Sequence, residues 1–258
     1  MKSIIAFANQ KGGLGKTACA VMTARCLVEE HRKKVLFLDL DVQGNASFTL
    51  ANYKTAISVS DFLKKDLKED ELNSFKEVSL ALLYATEDLA NDQGFIIKEC
   101  LNHFNNNLSL IKKHFDYVII DTPPTLGNKL FLSLMLTQQV VIPIEPESFA
   151  LQGLQKLFTT INSVKEANKE LNLLGVVINK LQSNRPRQMA NVEKIKQSPL
   201  KEVLFKTVIK YRDCVSDALS NGISLKDLRK IRGYNSRTFS SAQKEFKGLT
   251  DEIIRRAR

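Results

Sequence analysis

The stretch from Ile4 to Glu30 constrains this chain more than any other. Ile4-Ile5-Ala6-Phe7-Ala8 is an unbroken apolar run of strand length, and Asn9-Gln10-Lys11-Gly12-Gly13-Leu14-Gly15-Lys16-Thr17 is a glycine-rich loop. Thr17–Glu30 then carries Ala20, Val21, Ala24, Leu27 and Val28 at helical spacing. Strand, glycine loop and helix in that order bring backbone N–H groups together at a helix N-terminus, where an anion is held. A chain that begins this way has little choice but to place its first strand inside a covered sheet.

The remaining pattern agrees. Val35–Leu38, Tyr117–Ile120, Val140–Ile144 and Leu174–Ile178 are short Val- and Ile-rich runs that mostly lack strict alternation, as expected of parallel strands covered on both faces. Between the last two lies a helical segment, Leu151–Asn168, with Leu154, Leu157, Phe158, Ile161 and Val164 on one face. The alternation predicts an α/β fold with a mostly parallel, doubly wound sheet flanked by helices and a ligand crevice at the carboxyl ends of the strands. Residues 52–107 are the least legible: Phe62, Leu63 and Leu67 indicate an amphipathic helix, and Leu80–Tyr84 a further strand. Phe239–Arg258 reads as one helix with Phe246, Leu249, Ile253 and Ile254 inward. No repeat or linker divides the 258 residues, so a single domain, 1–258, is expected.

Three stations carry chemistry. In the loop, Gly12, Gly13, Leu14, Gly15 and Ala18 supply backbone to a phosphate cradle, Lys16 reaches β- and γ-phosphates, and the Thr17 hydroxyl holds Mg²⁺. Val35-Leu36-Phe37-Leu38 runs into Asp39-Leu40-Asp41, two carboxylates on one side of an extended chain at a strand's carboxyl end. Tyr117-Val118-Ile119-Ile120 ends in Asp121, the placement of a carboxylate that binds Mg²⁺ directly or through water. A further strand ends in Asn179-Lys180-Leu181-Gln182. A guanine site would need an aspartate at Gln182, so the base read here is adenine, with Asn179 contacting its ring.

The motif K-G-G-x-G-K-T from Lys11 to Thr17, with Gln10 in place of the first glycine, resembles the deviant Walker A loop of the ParA/MinD ATPases. Asp39-Leu40-Asp41-Val42-Gln43-Gly44-Asn45 resembles that family's switch I, Asp121-Thr122-Pro123-Pro124 its switch II, and Val140–Leu154 the block that follows. The resemblance covers Ile4 to about Lys180. It implies an ATP hydrolase that dimerises on ATP, in which Lys11 crosses to the partner's nucleotide, Asp41 positions the attacking water and Asp39 supports the metal region. It also implies slow, partner-stimulated turnover, with ATP and Mg²⁺ as cofactors. Two departures bear on the site. Ala18 lacks the hydroxyl usual there, which weakens the α-phosphate contact, and Val42 replaces a proline, which loosens the loop.

Charge suggests what such a dimer holds. From Lys180 onward the chain has 19 basic and 8 acidic residues, so the whole net charge of +10 sits in the last third. Arg185, Arg187, Lys226, Arg229, Lys230, Arg232, Arg237 and Lys244 are the candidate phosphate contacts for sequence-independent DNA binding. In short, Soj-like ParA proteins this cycle drives plasmid or chromosome partition with a ParB-like activator, and a cytoplasmic, nucleoid-associated protein is expected. Because the chain begins close to the loop, the helix-turn-helix extension of longer ParA proteins is not expected. The alternative is a MinD-like or other family member that positions a membrane or protein cargo. Asp251–Arg258 has few bulky apolar residues for lipid insertion. Cys19, Cys26, Cys100 and Cys214 form no C-x-x-C pair and read as buried free thiols, against an iron–sulfur relative.

Overall fold

The computed structural model describes residues 1–91, 95–125, 127–147, 150–231 and 236–257. Ser148, Phe149 and the candidate DNA contact Arg232 lie outside the described residues. Eight strands are present among them: β1 (Ser3–Phe7), β2 (Val35–Asp39), β3 (Lys54–Ser58), β4 (Leu80–Tyr84), β5 (Tyr117–Asp121), β6 (Gln139–Ile144), β7 (Asn172–Leu181) and β8 (Leu204–Lys210). They form one sheet in the order β3-β4-β2-β5-β1-β6-β7-β8, with every neighbouring pair parallel. All carboxyl ends therefore share one edge. The order turns about β1, which pairs with β5 on one side and β6 on the other. A crevice opens at such a switch point, and the glycine loop leaves β1 there.

The helices are α1 (Lys16–Glu29), α2 (Asn45–Thr49), α3 (Val59–Lys64), α4 (Ile97–Ile111), α5 (Asn128–Met135), α6 (Ala150–Ala167), α7 (Pro186–Gln197), α8 (Asp213–Ser220), α9 (Leu225–Ile231) and α10 (Ser236–Arg256). Alternate strand residues sort them onto two faces. Ile5, Phe7, Val35 and Phe37 face α1 and the α8–α10 group, together with Phe239, Phe246, Leu249 and Ile253. Ile4, Ala6, Leu36 and Leu38 face α3 and α4, and Val140, Ile142, Val176 and Ile178 face α6 and α7.

The expected strands, the two long helices and the C-terminal helix are all present, with ends shifted by a few residues. α1 departs from its single apolar face: every residue from Cys19 to Leu27 is buried. The reason is tertiary. α10 lies across its outer side in the same core, so a helix that covers a sheet is itself covered. The four cysteines are buried and free. No helix among the described residues is long and apolar enough to cross a membrane.

α10 is fastened along β8 by charge as well as packing. Glu252 accepts from the N–H groups of Lys206 and Thr207 at 2.9 and 2.7 Å and from the Thr207 hydroxyl at 2.6 Å. Burial pushes its carboxyl up, and these bonds outweigh that, leaving its pKa below the ordinary value. One turn on, Arg256 donates to the carbonyls of Leu174, Val203 and Leu204 and stacks 4.2 Å over the Phe205 ring. Gly175 lets β7 and β8 close under this arginine, since a Cβ there would sit 2.7 Å from the Val203 carbonyl oxygen. Gly175→Ala is therefore expected to cost ~1–3 kcal/mol through overpacking, read as a lower urea midpoint with an unchanged m-value.

Candidate phosphate-binding site

The loop between β1 and α1 owes its shape to two glycines. Gly13 and Gly15 have φ of +80° and +79°, a left-handed region that side chains avoid, and Gly15 is the N-cap of α1. A Cβ on Gly15 would collide with the Asn179 amide, which lies beneath the loop and donates to the Leu14 carbonyl at 2.8 Å. Lys180 donates to the Gly13 carbonyl and pairs with Glu145 at 3.3 Å. The carboxyl ends of β6 and β7 thus support the loop from below. On the same side, the Asn9 amide donates to the Pro143 carbonyl of β6 at 2.7 Å.

β2 and β5 deliver the carboxylates. Asp39 and Asp121 are paired in register on adjacent strands, and both are fully buried. Ser47, in α2, donates its N–H and its hydroxyl to Asp39 Oδ2, each at 2.7 Å, and the Asp41 N–H reaches Oδ1 at 3.2 Å. Burial still pushes Asp39 up to about 6, and the charge of Asp41 adds to the push. Asp121 is raised well above the carboxylate range by burial and by Asp39, while the Thr17 hydroxyl and Lys16 pull the other way. Thr17 donates to Asp121 Oδ2 at 2.6 Å, whereas Oδ1 is buried with no partner among the described residues. Lys16 is 6% exposed, its pKa lowered by burial against the opposing pull of Asp121 and Asp41. Asp41 accepts from the Gln43 N–H at 3.0 Å at the turn into α2.

Over the loop lies a cleft of about 750 Å³. Gly12, Gly13, Gly15, Lys16, Thr17, Ala18, Asp41, Pro124, Asn179 and Lys180 line one part of it. The sequence candidates for the loop, switch I and β7 thus converge, with Asp39 and Asp121 buried behind the cleft and Leu14 buried under the loop. Lys11 is exposed at the loop's start. The opposite wall, Tyr211 and Arg212 after β8 with Val215, Ser216 and Leu219 of α8, was missed from sequence. A signal existed in Leu204–Ile209, whose Phe205 and Ile209 are buried and mark a last strand with its own carboxyl-end loop. Ser47 was missed too.

The orphaned Asp121 oxygen beside the Thr17 hydroxyl tests whether a divalent cation suits the site, and it does. An oxygen-rich corner next to a phosphate cradle suits Mg²⁺, which takes one or two carboxylates and completes its shell with phosphate and water.

The basic candidates divide. Arg185 and Arg187 flank the start of α7, which packs on the α6 face of the sheet, whereas Lys226, Arg229 and Lys230 lie on α9 and Arg237 and Lys244 on α10, on the α1 face. Lys226 is held by Glu30 at 2.7 Å and Lys230 by Asp227 at 2.9 Å. Arg185, Arg229 and Lys244 are exposed and in no ion pair among the described residues.

A family model for an AAA domain matches residues 2–173. The chain is 31% identical over 261 residues to Protein IncC of Escherichia coli, covering 98% of the chain and 69% of the relative. It is 33% identical over 228 residues to the sporulation initiation inhibitor protein Soj of Bacillus subtilis, covering 86% and 89%. Among solved structures, the ATP complex of Cyanothece McdA superposes with a TM-score of 0.75 at 20% identity, covering 97% of this chain and 96% of that one. The septum site-determining protein MinD of Pyrococcus horikoshii, complexed with Mg-ADP, superposes with a TM-score of 0.67 at 21% identity, covering 98% and 96%.

Because Asp121 is a buried carboxylate beside another, replacing it relieves the apoprotein. Asp121→Asn is expected to raise the melting temperature without ligand by a few degrees, ~1–2 kcal/mol, and to abolish the further rise on adding Mg²⁺ with nucleotide. Differential scanning fluorimetry of both proteins, with and without Mg-ATP, checks both halves.

Proposed function

The chain belongs to the ParA/MinD family of ATPases, and on that premise we propose that it is a partition ATPase that binds ATP with Mg²⁺, dimerises, and holds DNA without sequence preference until hydrolysis releases it. The observation that carries this reading is the convergence of Lys16, Thr17, Asp39, Asp41 and Asp121 on one glycine loop at the sheet's switch point. ATP complexes of its structural neighbours support the choice of nucleotide.

Each residue has a role in this reading. The N–H groups from Gly12 to Ala18 bind the phosphates, and Lys16 holds the β- and γ-phosphates. Thr17 and Asp121 hold Mg²⁺, with Asp39 supporting Asp121 from the next strand. Bound there, Mg²⁺ neutralises charge that builds up on the phosphates as a Lewis acid. Asp41, at the cleft wall, orients the water that attacks the γ-phosphorus, giving ADP and phosphate. Lys11 reaches the phosphates of a partner protomer, so that ATP joins two subunits. Asn179 contacts the adenine ring from the carboxyl end of β7.

The basic residues of α9 and α10, Lys226, Arg229, Lys230, Arg237 and Lys244, meet phosphodiester backbone on the α1 face, Arg185 and Arg187 form a separate pair at α7, and dimerisation doubles both. Arg229 of α9 and Lys244 of α10, in no ion pair among the described residues, are the strongest members. A ParB-like protein stimulates an otherwise slow hydrolysis, and the protein resides in the cytoplasm on nucleoid DNA. α10 favours DNA over a lipid surface, because its apolar residues Phe239, Ala242, Phe246, Leu249 and Ile253 are buried in the core and unavailable to a bilayer.

Binding of a non-specific duplex with ATP, with ADP and without nucleotide, across a salt series, tests the reading. Binding is expected only with ATP and is expected to weaken steeply with salt. Lys16→Ala abolishes it. Asp41→Ala keeps ATP-dependent binding and lowers hydrolysis ~100-fold or more. Lys11→Ala binds nucleotide as a monomer in light scattering. ATP binding without any DNA retention at low salt would sink the DNA limb.

A further inference from the structure

Outside the cleft, the least ordinary side chain is Arg25. It lies in the middle of α1 and is 5% exposed, at a position where a covered helix carries an apolar residue. An arginine keeps its charge in a protein, so burial here is tolerable only if hydrogen bonds compensate. Three carbonyls supply them. The guanidinium donates to Thr49 at 3.2 Å, to Gly222 at 2.8 Å, and to Ile223.

These carbonyls lie at or just past two helix C-termini, with Ile223 following Gly222 in the turn. Thr49 is the last residue of α2, and Gly222, at φ +65°, follows the C-cap of α8. Carbonyls at helix C-termini lack intrahelical partners and carry the negative end of the helix dipole, which suits a cation. The two ends also touch directly. The Thr49 hydroxyl donates to the Leu219 carbonyl at 3.1 Å, and a Cβ on Gly222 would lie 3.3 Å from the Thr49 carbonyl oxygen. Arg25 therefore clasps α2 to the turn between α8 and α9.

Each side of the clasp leads to a different part of the site. α2 begins three residues after Val42, at the end of the turn that holds Asp41, and its Ser47 binds Asp39. On the other side the turn passes Ser224, whose hydroxyl accepts from the Asp227 N–H at 3.1 Å, and enters α9 with Lys226, Arg229 and Lys230. We propose that Arg25 is the positioning residue that couples the Asp39–Asp41 loop to the basic helix α9, so that the nucleotide held in the cleft sets the placement of α9. This rests on the nucleotide and DNA reading above. α2 is a five-residue helix that carries the Asp39–Ser47 bonds and, at its last residue, the carbonyl held by Arg25, so a shift of the Asp41 turn is delivered to the α8–α9 turn through it.

The test uses the full chain and three variants. Arg25→Gln removes the charge and keeps a donor, Arg25→Lys keeps the charge and loses the fork, and Thr49→Val removes the hydroxyl that reaches Leu219 of α8 and Asn45 within α2 while leaving Arg25 in place. Three quantities are read: ATP affinity, the ratio of DNA affinities with ATP and with ADP, and amide hydrogen exchange over residues 222–231 in each nucleotide state. In the wild type, exchange over 222–231 is expected to slow with ATP. In Arg25→Gln, ATP affinity stays within ~3-fold while the ATP-to-ADP ratio of DNA affinities falls ~10-fold or more, and exchange over 222–231 no longer depends on the nucleotide. Arg25→Lys falls between. Thr49→Val shows a smaller loss of the same kind, and carries the test if Arg25→Gln does not fold. The inference is overturned if ATP leaves exchange over 222–231 unchanged in the wild type, if Arg25→Gln keeps the wild-type response, or if it loses ATP affinity in proportion to DNA affinity. A wild type that binds no DNA defeats the DNA limb alone, and the exchange measurement still decides the coupling.

Discussion

Two carboxylates, Asp39 and Asp121, stand side by side in register on neighbouring parallel strands, both fully buried. Water would separate such charges at little cost, but the interior of a sheet does not. The surroundings are arranged to meet that cost. Ser47 gives Asp39 two hydrogen bonds, Thr17 gives Asp121 one, and Lys16 is drawn under the surface beside them. The compensation is incomplete, since one oxygen of Asp121 has no partner among the described residues. A protein built for stability alone would not retain this pair, and the deficit is what makes the corner attractive to a cation.

Much of this was legible because it rests on local rules. Gly13 and Gly15 are needed where φ is positive, Thr17 must follow Lys16 to lie at the helix start, and Asp39 and Asp121 end apolar runs that can only be covered strands. These residues announce themselves by type and neighbours. What escaped depends on distant chain. Arg25 within a helical pattern reads as a solvent-facing charge, and only the arrival of Thr49 and Gly222 makes it an interior one. Tyr211 and Arg212 reach the cleft because β8 is parallel to β1, not because of anything in their own segment. β3 escaped for a plainer reason: only Ile57 and Ser58 of its five residues are buried, so an edge strand of this kind lacks the apolar run that marks a central one.

The basic last third shows how charge counting and structure diverge. Some of its cations are spent within the fold. Arg256 serves three carbonyls, Arg212 forms a two-pronged pair with Glu245, and Lys226 is tied to Glu30 at the far end of α1. Such pairs add little stability at an exposed surface, but they fix where α9 and α10 lie. Of the candidate DNA contacts, Arg185, Arg229 and Lys244 are the ones that stay exposed and in no ion pair among the described residues.

The packing of α10 over α1 has a consequence for how the molecule comes into being. The helix that carries Lys16 and Thr17 is made well before Phe246, Leu249 and Ile253, which close its outer side. Until they arrive, α1 presents a bare apolar flank and β8 has no cover. Contacts of such long range are slow to form and leave hydrophobic surface open in the interval. A nascent chain of this protein therefore carries its phosphate loop long before it has a rigid platform to hold it, and that platform waits on α10.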